Sequence, residues 1–96
     1  MMYRNKKLRD FARGRPCTVH GPTCDGGGET SVWAHSNSQR DGKGMGNKAH
    51  DIFGCVACYS CHQWLDEGRA GRAEKERVFY EAMRESLRAA CEAGVL

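Results

Sequence analysis

No stretch of this 96-residue sequence approaches the roughly 18 consecutive apolar residues that a membrane-spanning helix requires. The basic opening, Met1–Arg15, contains no apolar segment of the signal-peptide kind. A helical membrane protein is thereby excluded, and a cytoplasmic chain without membrane contact is the expectation. Aromatic residues are also few, at 8%, and so short a chain has little apolar interior to bury, which excludes a two-domain enzyme with a deep cleft. Disorder is excluded in turn, because 40% of the residues are apolar and 28% charged, a globular balance.

Cysteine is what the sequence has in excess, with six residues. In a reducing compartment that density points to metal binding or catalysis rather than disulfides. A chain this small needs an extra source of stability, and a structural metal supplies one by coupling ligand binding to folding. Charge is unevenly spread. The net value is only +3, yet Arg4, Lys6, Lys7, Arg9, Arg13 and Arg15 face the single acid Asp10 in the first fifteen residues. That field fits a polyanionic partner, although a solvated helix face would read the same way.

Leu8, Phe11 and Ala12, at i, i+3 and i+4, predict a short amphipathic helix over about 5–13, with Pro16 beyond its end. Cys17–Thr30 holds Pro22 and Gly26-Gly27-Gly28 and reads as tight turns fastened by a metal. Glu29–His35 is the best strand candidate. Ser36–Lys48 is polar and glycine-rich, long enough to be a mobile loop beside a site. Ile52–Ala57 reads as a second strand feeding a helix that begins near Ser60, with Trp64 and Leu65 inward. Over 72–93, Val78, Phe79, Ala82, Met83, Leu87, Ala90 and Cys91 recur at three- and four-residue steps, predicting a long packing helix stopped by Gly94.

Four cysteines form a pattern: Cys17-x6-Cys24 and, after a gap of 33 residues, Cys58-x2-Cys61. A C-x2-C step entering a helix aims two thiolates at one ion, and a distant knuckle completes a tetrahedron, which is treble-clef geometry. Four sulfurs suit Zn2+ and leave no open position, so this ion is expected to be structural. His20, at Cys17-x2-His20, competes for one ligand place. Cys55 and Cys91 read as small buried hydrophobes. The expected fold is α+β: one domain over 1–96, with the knuckle, hairpin and helix at about 17–70 between the basic N-terminal helix and the long C-terminal one.

If those parts share one zinc, His35 at the end of the first strand and His62 at the start of the helix come toward one cleft. Three segments carry a resemblance: L-R-D-F-A-R-G-R-P-C, E-T-S-V-W-A-H and D-I-F-G-C-V-A-C-Y-S-C-H. Together they resemble the small YbcO-type phage and prophage proteins, a group of HNH-like nuclease type, and the likeness spans most of the chain. The ββα-metal class cuts phosphodiester bonds with a strand histidine as general base and a divalent ion held partly by a helix histidine. The resemblance therefore implies His35 as the base and His62 as ligand to Mg2+ or another divalent metal. A histidine with a pKa near 6.5 can take a proton from water at neutral pH.

Two positions depart from that pattern. Many members of the class carry a metal ligand just before the strand histidine, where this chain has Ala34. The asparagine that orients the base has no clean counterpart; Asp51 is nearest, with Asn47 and His50 as substitutes, and Asp51 could orient His35, bind the ion, or simply cap a turn. Phosphate contacts with DNA are expected from Arg4, Lys6, Lys7 and Arg9, joined by Arg40, Lys43 and Lys48. The expected function is a metal-dependent DNA endonuclease of phage origin; the alternative is a zinc-stabilised DNA- or protein-binding module without chemistry. A protein partner or homo-oligomer is not readable from the sequence.

Overall fold

The computed structural model describes residues 2–96. Helix α1 spans Lys6–Phe11, and the Asn5 side chain caps it by accepting from the Leu8 amide at 3.2 Å. Leu8 and Ala12 are its fully buried positions, as the i, i+4 spacing requires. Strands β1 (Val32–His35) and β2 (Gly54–Ala57) form an antiparallel pair in which Trp33 faces Val56, Ala34 faces Cys55 and His35 faces Gly54. Helix α2 spans Tyr59–Glu67 and helix α3 Arg72–Glu92. The result is a small α+β fold, and none of its helices is long and apolar enough to cross a membrane.

Both faces of the two-stranded sheet are covered, so β2 is buried at every position instead of alternating. On one face Ala34, Cys55 and Ala57 pack with the knuckle, Leu65 of α2, and Phe79 and Ala82 of α3. On the other, Trp33 and Val56 pack with Leu8 and Ala12 around α1 and with Ala90 of α3. Helix α3 thus serves both clusters along its length. The outer edge of β2 is closed without a third strand. The Val56 amide donates to Ser86 Oγ at 2.9 Å, and the Val56 carbonyl accepts from the Thr18 amide at 2.9 Å and the Thr18 hydroxyl at 2.8 Å. Satisfying these groups leaves β2 no raw edge for another chain to pair with.

The elements differ from expectation at their ends. The first strand begins at Val32 and not Glu29, because the Ser31 hydroxyl is drawn into the knuckle, donating to the Arg15 carbonyl at 2.6 Å. The second begins at Gly54, because Ile52 and Phe53 complete a turn in which the Phe53 amide bonds the His50 carbonyl. Helix α2 starts one residue early, at Tyr59, since the Cys58 sulfur caps it by accepting from the Cys61 amide. Cys91 is exposed, which corrects its reading as a buried hydrophobe; the buried stripe of α3 runs through Phe79, Ala82, Ser86 and Ala90 instead. Gly94 ends α3 as expected: with φ at +78° it lets the Val95 amide reach back to the Ala90 carbonyl.

The segment after β1 is tied down rather than bare. It contains a 3-10 turn at Gln39–Asp41, and the buried Asp41 carboxylate accepts from both the Ser36 hydroxyl and the Tyr80 hydroxyl of α3. The Asp41 carbonyl also accepts from the His50 amide at 3.0 Å.

Candidate metal and nucleic-acid site

The ligand sulfurs of Cys17, Cys24, Cys58 and Cys61 all lie within 4.8 Å of one another, and those of Cys24 and Cys58 are 4.0 Å apart. Tetrahedral thiolates at metal–sulfur bonds of about 2.3 Å require sulfurs about 3.8 Å apart, so the cluster fits one ion such as zinc. The donor chemistry agrees. Each sulfur accepts a backbone N–H: Cys17 from Val19 (3.4 Å), Cys24 from Gly26 (3.4 Å), Cys58 from Cys61 (3.4 Å) and Cys61 from Gly21 (3.3 Å). Together with the Asp25 amide, which also donates to Cys58 at 3.5 Å, five amides aimed at four sulfurs suit thiolates better than neutral thiols, which accept weakly. Burial beside the other sulfurs pushes the Cys61 thiol far above its usual range, a cost that a divalent cation reverses.

The turns that gather these sulfurs depend on glycine at one position above all. Gly27 sits at φ +86°, where a Cβ would meet the Cys17 amide nitrogen and the Ser31 hydroxyl. His20 is exposed, at φ +54°, and stands outside the sulfur cluster. Cys55 is buried in the sheet with its thiol pushed up by burial, which makes it inert packing.

A cavity of about 280 Å³ is lined by His35, His62, Lys43, Lys48 and Asp66, among others. It brings the two histidines to one place. His35 Nε2 is 2.7 Å from Asp51 Oδ1, and Asp51 is buried. Burial alone would raise the Asp51 pKa, but the bonds from His35 and the Asn5 amide (2.6 Å), with Arg9 beside it, more than offset this and hold it below the usual carboxylate value. An ionised carboxylate only accepts, so Nε2 must carry the ring proton and Nδ1 the lone pair. Burial also pulls the His35 pKa below 6.5 against the opposing pull of Asp51, leaving the ring neutral at pH 7. The same carboxyl residue fixes the strand: its backbone carbonyl accepts from the Trp33 indole at 2.7 Å, and Gly54 leaves room for that ring.

The basic residues divide into two groups. Arg4 Nη1 lies 3.2 Å from Asp51 Oδ1 and Arg9 Nε 3.1 Å from Oδ2, so both guanidinium groups neutralise the buried carboxylate. Lys6 pairs with Asp10 at 2.6 Å, and Lys7 is exposed. Lys43 and Lys48, by contrast, line the cavity itself. Ala34 points into the sulfur-side cluster with Cys55 and Ala57, where a charged ligand would be stripped of water. Asn47 forms part of a tight turn, and the His50 ring accepts from the Tyr3 amide at 2.9 Å; neither bonds His35.

Residues 6–94 match the family described as "Putative nuclease YbcO". The chain belongs to the YbcO family. Two relatives of that description, one from Escherichia coli K12 and one from Enterobacteria phage 82, are each 44% identical over 61 residues. The matched region is 62% of this chain and 62% of each relative, so the chain spans somewhat under two thirds of the length of the curated YbcO proteins it matches. A solved structure described as a putative bacteriophage protein from E. coli K-12 superposes with a TM-score of 0.72 at 28% identity, covering 92% of this chain and all of that one. The family description gives nuclease at a coarse level, and the phage relative ties the family to phages.

One cavity residue went unread in the sequence of this YbcO-family chain. Asp66 lies one helical turn beyond His62, with Oδ2 3.5 Å from His62 Nε2, and its Oδ1 accepts from Asn37 at 2.8 Å. The signal was present as His62-x3-Asp66, an i, i+4 pair that puts imidazole and carboxylate on one helix face.

Proposed function

We propose that this YbcO-family chain is a metal-dependent DNA endonuclease of the HNH-like, treble-clef type, and that its described residues act as one such domain. The observation that carries the reading is the pairing of His35 with the buried Asp51, His35 lining the cavity that also holds His62, Asp66 and two lysines. Asp51 holds Nε2–H of His35, and the Nδ1 lone pair takes a proton from water as that water attacks phosphorus. Lys43 and Lys48 bind the flanking phosphates. His62 and Asp66 would hold the divalent ion, their ligand atoms being close enough to share one coordination sphere, with water and phosphate oxygens completing it. When bound, that ion, Mg2+ or another divalent metal, supplies charge neutralisation at the phosphoryl and departing 3′ oxygens. The four cysteines would hold a structural Zn2+, which fixes the helix that carries His62 and Asp66.

A second reading, a zinc-stabilised DNA-binding module without catalysis, is favoured by one observation: Ala34 is packed in the core, so the position before the strand histidine offers no metal ligand to the cavity. Plasmid incubated with the purified protein and Mg2+ or Mn2+ separates the two. Wild type should nick, and His35→Ala should lose about 10²–10⁴ in rate, the usual share of a general base. Intact plasmid with every ion tried, alongside a retained gel shift in both proteins, would establish the binding module instead.

A further inference from the structure

The glycine-rich segment carries a projection that the hydrolytic reading leaves without a use. Gly44 and Asn47 bond each other through both backbone groups, at 2.7 and 3.2 Å, closing a two-residue hairpin. Its central residues, Met45 and Gly46, both have positive φ, at +50° and +81°. Such a type I′ turn favours Asn, Asp or Gly at both places, and a side chain like methionine is strained there. Met45 is also fully exposed, so nothing in the fold rewards its thioether. Lys43 and Lys48, on either side of this tip, line the cavity that holds His35 and His62. Met45 is two residues from Lys43 and three from Lys48, at most about 7 and 11 Å of backbone, so the tip stays within a few base steps of both lysines.

We propose that Met45 is a wedge: with Lys43 and Lys48 on the backbone of duplex DNA, its side chain enters between adjacent base pairs and unstacks a step close to the scissile phosphate. Long, flexible apolar side chains do this in proteins that kink DNA, where the larger protein surface wrapped by the bent duplex offsets the lost stacking. Steps that open easily, such as pyrimidine–purine steps and mismatches, are the preferred sites, because less stacking is given up there. This proposal rests on the nuclease reading, and its test is separable from it because unstacking is read without turnover.

The test uses zinc-loaded full-length protein in the His35→Ala background with Mg2+, so that DNA stays intact, and a short duplex with 2-aminopurine replacing every adenine of one strand. Binding followed by anisotropy should bring a several-fold rise in 2-aminopurine fluorescence and a roughly tenfold preference for a mismatched over a perfect duplex. Met45→Gly relaxes the backbone at its positive φ, so it folds; it should bind perfect duplex with the same salt dependence yet give no rise and no mismatch preference. Met45→Leu should restore both. Bound DNA without a rise in the parent protein, an equal rise in Met45→Gly, or no DNA binding at all overturns the wedge. Unstacking that persists in a protein with His35 intact but unable to nick with any ion overturns the hydrolytic reading alone.

Discussion

Asp51 orients the His35 ring, and against the upward push of burial the bond with His35, then the Asn5 amide and the Arg9 charge, hold the Asp51 carboxyl below the usual range. Two arginines and the Asn5 amide converge on one buried carboxylate, which in turn fixes the ring tautomer of the histidine. Replacing Asp51 by Asn leaves these donors facing a neutral amide and should lower stability by on the order of 2–3 kcal/mol, readable by urea denaturation. The pH dependence has a defined sign. Because the folded pKa of His35 lies below 6.5, unfolded chains take up this proton first, and stability falls as pH drops below 6.5. Asp51, with a lowered folded pKa, contributes stability that is present above about 4 and is lost as pH falls further. The lower stage should be missing from the denaturation profile of Asp51→Asn, whereas acid-labile groups common to both proteins, the zinc thiolates included, keep their effect.

Elements are held in place here by side chains at their ends and edges. Cys58 is at once a member of the sulfur cluster and the N-cap of α2, so Cys58→Ser should lose bound zinc by elemental analysis and lose cooperative thermal unfolding; a folded, zinc-free protein would refute the structural role. Ser86→Ala removes the acceptor for the buried Val56 amide and should cost about 1–3 kcal/mol. Helices and cysteine spacing were legible in the sequence because the 3.6-residue period and the C-x2-C step are local signals. Strand ends were not, because Ser31 leaves the strand to bond Arg15, a partner set by the knuckle's tertiary path. Cys91 was misread because it borders the buried stripe of α3 without belonging to it. The pairing of Asp51 with His35 was legible as one of several alternatives. That Arg4 and Arg9 turn inward to Asp51 was not, since the charge run alone looks the same whether it faces solvent or a buried acid.

At the scale of the molecule, α2 links the sulfur cluster to the cavity, since it carries Cys61 next to His62 with Asp66 one turn on, while α3 packs against both hydrophobic clusters. An ion held by the four sulfurs would fix α2 and with it His62 and Asp66, and its chelation should abolish DNA binding and nicking together through unfolding, visible by circular dichroism. On the proposed nuclease reading, His35 is a neutral base oriented by an ionised Asp51. The pH–rate profile of plasmid nicking under single-turnover conditions, for wild type and Asp51→Asn, tests it most directly. The wild-type rate should fall only on acidification below 6.5. Loss of the carboxylate removes a charge that favours the imidazolium, so the acid limb of Asp51→Asn should move to still lower pH while the plateau drops by about 10²-fold or more. An unmoved limb with an unchanged plateau would contradict the account.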